Sequence, residues 1–159
     1  MPERYVVFTG RPNAGKSTII KALTGLKPRI GKRPGTTTSI KRYPVAPGLT
    51  LVDMPGYGSK AGGSRKWEDA TKDSILDFIE ENAGSIAAAV HVVNITTFLE
   101  TEERLSRKGI MSLDVEMVCY LRDTLGTFPL AAANKIDKGG EKEVVANLEA
   151  FIEGISGED

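Results

Sequence analysis

The stretch Gly10-Arg11-Pro12-Asn13-Ala14-Gly15-Lys16-Ser17 decides the fold of this chain. It matches the pattern G-x-x-x-x-G-K-[ST] of the phosphate-binding P-loop, which requires a strand before it and a helix after it. Residues 5–8 form an apolar run and residues 17–23 are helix-like, so both flanking elements are expected. In such a loop, backbone N–H groups converge on a phosphate at a helix N-terminus, where the helix dipole favours negative charge. We therefore predict a polyphosphate site rather than a glycine-rich turn that matches by chance.

The composition predicts one globular domain that spans residues 1–159. Of the 159 residues, 40% are hydrophobic and 26% are charged, which suits a folded core. No apolar run approaches the roughly 20 residues that cross a bilayer, and the chain leads into its first predicted strand without a signal peptide. The single cysteine, Cys119, excludes an internal disulfide framework. We expect a cytoplasmic monomer that does not bind membranes.

Charge is distributed unevenly, although the formal net charge is zero. Ten lysines and arginines but one acidic residue, Glu3, precede residue 45. A basic N-terminal segment suits a polyphosphate or RNA. Taken alone, it is better explained as solvated surface charge.

Strand and helix patterns alternate along the chain, which predicts an α/β fold of three layers with a mostly parallel sheet. Turn residues at 46–48 join two strands into a hairpin, so one edge strand is expected to be antiparallel. Residues 95–112 are expected to be polar and irregular, with Glu100, Glu102 and Glu103 in a solvated loop. The predicted strands are residues 5–9, 40–45, 49–53, 86–93 and 128–133, and the predicted helices are residues 17–24, 67–82, 113–125 and 141–155.

Hydrophobic patterns also predict what is buried. Residues 128–133 are expected to be a buried strand. His91 lies inside an apolar strand and is expected to be a packed histidine rather than a catalytic base. The last helix carries one apolar stripe, made of Val144, Val145, Leu148, Phe151 and Ile152.

Asp53-Met54-Pro55-Gly56 follows the apolar strand at residues 49–52. A carboxylate at the carboxyl end of a strand beside a P-loop is placed to hold Mg²⁺ through water. The Ser17 hydroxyl suits the same ion, and the backbone N–H of Gly56 is available to a terminal phosphate. The alternative is an ordinary turn, which the position of this motif after a strand and after the P-loop disfavours.

Asn134-Lys135-Ile136-Asp137 ends the last predicted strand and matches N-K-x-D, a guanine-specificity motif. A carboxylate can accept hydrogen bonds from N1 and the N2 amine of guanine, whereas adenine lacks this pair of donors. Asn134 can brace the site or reach the base edge, and the stem of Lys135 can lie over the purine ring. Alone, the motif is also explained by Asp137 capping a helix, but it is the third motif in the expected order.

These motifs resemble those of the translation-factor-like class of P-loop GTPases, over nearly the whole chain. The finer resemblance is to the EngB family of ribosome-assembly GTPases, and it rests on residues 10–17, 32–37, 53–58 and 134–137. The form Asp53-Met54-Pro55-Gly56-Tyr57-Gly58 is the most family-specific part. The resemblance implies a small G domain that binds GTP and GDP, hydrolyses GTP and acts on a precursor of the large ribosomal subunit or its rRNA.

The resemblance also implies site residues. A switch I threonine completes the Mg²⁺ shell in such GTPases, and Thr37 matches it best, with Thr36 as the alternative. The predicted catalytic residues are Lys16, Thr37 and Gly56, and the predicted Mg²⁺ ligands are Ser17, Thr37 and Asp53. The predicted nucleotide contacts are Asn13, Ala14, Gly15, Lys16, Ser17, Thr18, Asn134, Lys135 and Asp137.

Three features modify this expectation. Tyr57 stands where many GTPases carry a glutamine that orients the attacking water, so slow intrinsic hydrolysis is expected. Asn13 resembles the asparagine of GTPases that bind K⁺ beside the phosphates, although it equally suits a role in stabilising the turn. The 22 residues after Asp137 contain neither an S-A-K motif nor a sixth strand. We therefore expect the C-terminal strand and helix of the G domain to be missing from this chain.

Other functions remain open at this point. A guanine-nucleotide-dependent RNA-binding module with negligible intrinsic hydrolysis fits the basic segment and Tyr57. A GTPase of tRNA modification would share the P-loop. An ATP-using P-loop kinase is disfavoured by Asn134-Lys135-Ile136-Asp137.

Overall fold

A computed structural model describes residues 2–26, 40–58, 65–109 and 112–157. Its strands are β1 (Arg4–Gly10), β2 (Lys41–Ala46), β3 (Leu49–Asp53), β4 (Ile86–Asn94) and β5 (Leu130–Asn134). Its α-helices are α1 (Lys16–Thr24), α2 (Arg65–Asn82), α3 (Phe98–Arg107), α4 (Leu113–Leu125) and α5 (Glu141–Ser156), and short 3₁₀ turns lie at Ala83–Ser85, Ile95–Thr97 and Ile136–Lys138.

The five described strands form one sheet in the order β2-β3-β1-β4-β5. The β1–β3, β1–β4 and β4–β5 pairs are parallel, and the β2–β3 hairpin is antiparallel. This arrangement confirms the predicted mixed α/β fold. Because parallel strands end at one edge, the sheet brings Gly10, Asp53 and Asn134 to the same side, where ligands of open α/β sheets bind.

Helices cover both faces of this sheet. Ile20 of α1 packs against Phe8 and Val92 on one face. On the other face, Ile79 of α2 and Leu121 of α4 belong to the core around Val7 and Val52. These residues are at most 2% exposed, so the middle strands are buried on both sides, as a parallel sheet requires.

The helix boundaries agree closely with the sequence pattern. The helix predicted at residues 113–125 is α4, with Val118 and Leu121 buried as expected. Gly25 ends α1 in the left-handed conformation, with φ 68°, and its N–H bonds to the carbonyl of Lys21. None of the described helices is both long and apolar enough to cross a membrane.

The prediction of an irregular, solvated segment at residues 95–112 is wrong. Residues 98–107 form α3, which buries Phe98 and Leu105 against neighbouring elements. These two buried residues lie two turns apart, which is too sparse an apolar pattern to reveal a helix in the sequence. Glu100 and Glu103 are exposed on α3, whereas Glu102 is half-buried.

The prediction that residues 128–133 form a buried strand is also wrong. In β5, Leu130 is 69% exposed, because β5 is the edge strand of the described sheet and pairs with β4 alone among described strands. In α5, Phe151 is buried and Val144 is half-buried. The rest of the stripe is exposed, because only one side of it meets α3 and α4: Val145 is 48%, Leu148 37% and Ile152 50% exposed.

Candidate functional site

The P-loop follows β1 and ends at the first turn of α1. Gly10 and Gly15 adopt φ angles of 156° and 108°, and Asn13 adopts the left-handed value of 64°. A Cβ at Gly10 would lie 2.5 Å from the carbonyl oxygen of Val92, so the loop can follow this path only with glycine. The left-handed backbone of Asn13 supports its predicted role in the turn.

A groove of about 360 Å³ opens along this loop. Asn13, Gly15, Lys16, Ser17, Thr18 and Lys135 line it. Six of the nine predicted nucleotide contacts therefore surround one open space, of a size that ligand pockets commonly have. Their contacts with a nucleotide stay predictions.

Lys16 lies on the floor of this groove and is 7% exposed. Its Nζ donates to the carbonyl of Gly10 at 3.4 Å. Burial lowers the pKa of Lys16, and the negative charge of Asp53 opposes that shift. A buried ammonium with one long hydrogen bond has spare donors for an anion.

The predicted metal ligands Ser17 and Asp53 are in contact. The Ser17 Oγ donates to Asp53 Oδ2 at 2.9 Å, and Asp53 is 5% exposed. Burial raises the pKa of this carboxyl, against the effects of Lys16, the Ser17 hydrogen bond and Lys41. Asp53 Oδ1 is buried without a hydrogen-bond partner among described residues, so a cation or its water would satisfy it. These oxygens fit Mg²⁺, and the third predicted ligand, Thr37, lies outside the described residues.

Gly56 passes directly against the P-loop. A Cβ at this position would lie 2.8 Å from the backbone N and Cα of Pro12. The glycine of the D-x-x-G motif is therefore required by close packing of the two loops. The sequence alone predicted a phosphate contact here but not this packing.

Tyr57 points into the protein core and away from the P-loop groove. Its side chain is 2% exposed, and its hydroxyl donates to the carbonyl of Leu113 at 2.7 Å. Burial raises the pKa of the phenol well above its usual value, with the negative charges of Asp114 and Glu116 acting in the same direction. Tyr57 thus joins the segment after β3 to the first turn of α4.

Asn134 and Lys135 bind the P-loop directly. Asn134 Nδ2 donates to the carbonyl of Ala14 at 2.8 Å, and Lys135 Nζ donates to the carbonyl of Asn13 at 2.5 Å. A Cβ at Gly15 would lie 2.1 Å from Asn134 Nδ2. The predicted bracing by Asn134 is thus a contact with the loop, while Asp137 lies on an exposed 3₁₀ turn nearby.

His91 is a fully buried strand histidine, as predicted, and connects three elements. Its Nδ1 lies 2.8 Å from Thr9 Oγ1, and its Nε2 lies 2.8 Å from Asp114 Oδ1. A donor at Nε2 suits Asp114, because a carboxylate oxygen accepts hydrogen bonds. Asp114 was not singled out in the sequence, where it is one acidic residue in the first turn of a helix.

Comparison with a family model shows which class of protein this chain belongs to. A family model described as "50S ribosome-binding GTPase" matches residues 5–135. Together with the fold and the P-loop, this match makes the chain a P-loop GTPase.

Individual relatives define the family. The chain is 38% identical to a probable GTP-binding protein EngB of Methanococcus maripaludis, covering 84% of this chain and 57% of the relative. It is 39% identical to the same kind of protein from Archaeoglobus fulgidus, covering 96% and 75%. A crystal structure of a probable GTP-binding protein engB matches with a TM-score of 0.81 and 39% identity, covering 94% of this chain and 80% of that one. The chain belongs to the EngB family of GTP-binding proteins. It spans 57% of the length of the Methanococcus maripaludis relative and 75% of the length of the Archaeoglobus fulgidus relative.

Proposed function

We propose that this chain uses Mg²⁺ to hydrolyse GTP to GDP and phosphate, and that it acts as a switch in assembly of the large ribosomal subunit. The observation that carries the chemical part is the Ser17–Asp53 hydrogen bond of 2.9 Å beside the buried Lys16. It places a hydroxyl, a carboxylate and an ammonium at the start of α1, where phosphates bind. The ribosomal part follows the description of the matching family model.

In the proposed reaction, water attacks the γ-phosphate and negative charge develops on the transferred group. Lys16, the P-loop amides and the N–H of Gly56 stabilise that charge because they are held in place before the reaction. Ser17 and Asp53 would hold Mg²⁺ together with Thr37, which lies outside the described residues, and the ion would supply further positive charge to the phosphates. The lone buried Oδ1 of Asp53 supports this assignment.

Guanine recognition is assigned to Asp137, whose carboxylate accepts from N1 and the N2 amine of the base. Asn134 positions the phosphate loop for the same nucleotide through its bond to Ala14. Lys135 holds the Asn13 carbonyl and leaves its stem available to the purine ring.

Intrinsic hydrolysis is expected to be slow. Tyr57 occupies the position after Gly56, but its hydroxyl is engaged with Leu113 inside the core. A partner or an ion must then supply positive charge, and one candidate is a K⁺ ion beside Asn13. Turnover measured in K⁺ and in Na⁺, with and without large ribosomal subunits, tests both sources.

Loss of the γ-phosphate is proposed to change partner binding through residues 29–39 and 54–66, of which residues 29–39 and 59–64 lie outside the described residues. We place this switch in a single G domain, residues 1–159, acting as a cytoplasmic monomer. The test is co-sedimentation of the full chain with precursors of the large subunit. Binding with a non-hydrolysable GTP analogue and release with GDP is expected, and equal binding in both states contradicts the switch.

A second function is favoured by the buried position of Tyr57. A guanine-nucleotide-dependent RNA-binding module would need the nucleotide site but no group that orients water. No GTP turnover in K⁺, in Na⁺ or with large subunits would favour this module. Association with tRNA rather than with large-subunit precursors would instead favour a role in tRNA modification.

A further inference from the structure

A second cavity, of about 220 Å³, borders the P-loop groove and shares Asn13 and Lys135 with it. Its other walls are the outer side of the P-loop, the end of β4 with the turn after it, the first two turns of α3, and Asp114 of α4. Of the residues in these walls, Ala14 alone belongs to the assigned nucleotide contacts.

The cavity is cationic. Arg11 from the P-loop, Arg104 from α3 and Lys135 after β5 all line it. Among the described lining residues there is one carboxylate, Asp114, which is 5% exposed and already lies 2.8 Å from His91 Nε2. Three cationic groups from three elements therefore meet one carboxylate that has a partner of its own.

Both arginines have unused hydrogen-bonding capacity. Arg11 Nε is buried and makes no hydrogen bond with any described residue. Arg104 forms no ion pair within the described part of the chain, whereas Arg107, one turn further along α3, pairs with Glu103 at 2.6 Å. Glu102, also on α3, is near enough to feel the charge of Arg11 but forms no ion pair with it in the described part of the chain.

Neutral donors complete the lining. Thr97 and Thr101 contribute hydroxyls, and Asn94 contributes an amide. The Oδ1 of Asn94 accepts from the backbone N–H and hydroxyl of Thr96, and its amide nitrogen makes no hydrogen bond to a described residue. Phe98 is 3% exposed and offers little apolar surface. Guanidinium, amide and hydroxyl donors around one space match the acceptor oxygens of a phosphate.

We propose that this cavity holds a phosphodiester group of ribosomal RNA, with Arg104 and Arg11 as its charged donors. The inference rests on the proposed ribosomal function and names the surface and the chemistry of its contact. Asn13 and Lys135 also line the nucleotide groove, so the proposed RNA site and the nucleotide site share part of one wall.

The test measures binding of the full chain, loaded with a non-hydrolysable GTP analogue, to protein-free rRNA of the large subunit across a series of salt concentrations. Arg104→Ala is expected to weaken binding roughly tenfold, the value of one charge-assisted contact. The slope of log affinity against log salt is expected to fall by about one, because one phosphate contact is lost. Arg107→Ala is the matched control, since it removes the same charge from the same helix outside the cavity. Nucleotide affinity, followed with a fluorescent GTP analogue, should stay unchanged in both variants.

Several results overturn the inference. If RNA affinity is unchanged in Arg104→Ala, Arg104 does not contact RNA. If Arg104→Ala and Arg107→Ala lose the same affinity, the effect comes from the positive charge of the surface in general and not from the cavity. A loss of nucleotide affinity in Arg104→Ala assigns the cavity to the nucleotide. Wild-type binding to intact large subunits without binding to their protein-free rRNA rejects the inference and leaves the proposed function standing. If the wild-type protein fails to bind large subunits, the proposed function is contradicted. The rRNA binding measurements on the variants still test whether the cavity binds a phosphodiester group.

Discussion

Asn134 Nδ2 donates a hydrogen bond of 2.8 Å to the backbone carbonyl of Ala14, which joins the N-K-x-D motif to the phosphate loop. The two residues are 120 positions apart in the chain. Lys135 makes a parallel bond to the carbonyl of Asn13. The base motif and the P-loop are thus one hydrogen-bonded unit before any nucleotide is considered.

Asn134→Ala should weaken GTP and GDP binding together. The substitution removes a hydrogen bond worth about 1 kcal/mol, or roughly a fivefold change in affinity. Discrimination against ATP should persist, because the proposed base contact is Asp137. Titration with fluorescent GTP, GDP and ATP analogues measures all three. A selective loss of base discrimination would show that Asn134 reads the base instead of positioning the loop.

Tyr57→Phe should leave GTP turnover within about twofold of wild type, because the hydroxyl bonds to Leu113 rather than facing the P-loop groove. Stability should fall by about 1 kcal/mol, the usual value of one hydrogen bond. Single-turnover hydrolysis and thermal unfolding measure these effects separately. A large loss of turnover with unchanged stability would place the hydroxyl in the reaction.

The same variant should alter stability at alkaline pH. Burial raises the pKa of Tyr57 well above 10.0, so the unfolded chain loses this proton at lower pH than the folded chain. Above about pH 10 the unfolded state binds fewer protons than the folded state, so wild-type stability should fall as the pH rises further. Denaturant unfolding between pH 8 and 11 should therefore show a shallower loss in Tyr57→Phe. Identical slopes in the two proteins would contradict the burial of the phenol.

Local sequence patterns predicted the helices and strands that are marked by hydrophobic periodicity and turn residues. The helix at residues 113–125 and the β2–β3 hairpin follow from periodicity and turn residues. Burial was predicted less well, because it depends on what packs across an element. Leu130 of β5 lies in a segment that was predicted to be buried but is 69% exposed.

At the candidate site, too, the contacts that sequence motifs signal could be predicted, and the contacts that depend on the fold could not. The Ser17–Asp53 contact follows from two motifs whose spacing and order are informative in sequence. The Thr9–His91–Asp114 chain does not, because its hydrogen bonds join residues 82 and 23 positions apart. Nor did any pattern indicate that Tyr57 would turn inward to Leu113, since a phenol after Gly56 suits either an exposed or a buried position.

Asp114→Ala should destabilise the fold by about 2 kcal/mol. It leaves His91 Nε2, in a fully buried ring, without its acceptor, and an unsatisfied buried donor is costly. Asp123→Ala is the control, because this carboxylate lies on the same helix but is 68% exposed, and its loss should cost less than about 0.5 kcal/mol. Chemical denaturation of both variants provides the measurement. Equal stabilities would show that the buried contact contributes nothing.

Lys16→Ala should reduce GTP affinity about 100-fold, since a charged contact with phosphate contributes up to about 3 kcal/mol. The fold should be retained, because Nζ makes one long hydrogen bond of 3.4 Å to Gly10. Lys21→Ala, an exposed lysine on the same helix, controls for loss of positive charge near the groove. Comparable losses in the two variants would indicate a general electrostatic effect.

Asp137→Asn should weaken GTP binding about 100-fold while ATP binding changes little, so that base choice relaxes. A carboxylate accepts two N–H bonds from guanine, whereas an amide accepts through one oxygen and turns its own donor toward the base. Asp137 is exposed and its one described ion pair, with Lys138, is long at 4.0 Å, so the fold should be unaffected. Glu149→Gln, which neutralises an exposed carboxylate on α5, should leave both affinities unchanged. Competition of GTP and ATP against a fluorescent GDP analogue measures the ratio, and an unchanged GTP affinity in Asp137→Asn would remove Asp137 from guanine recognition.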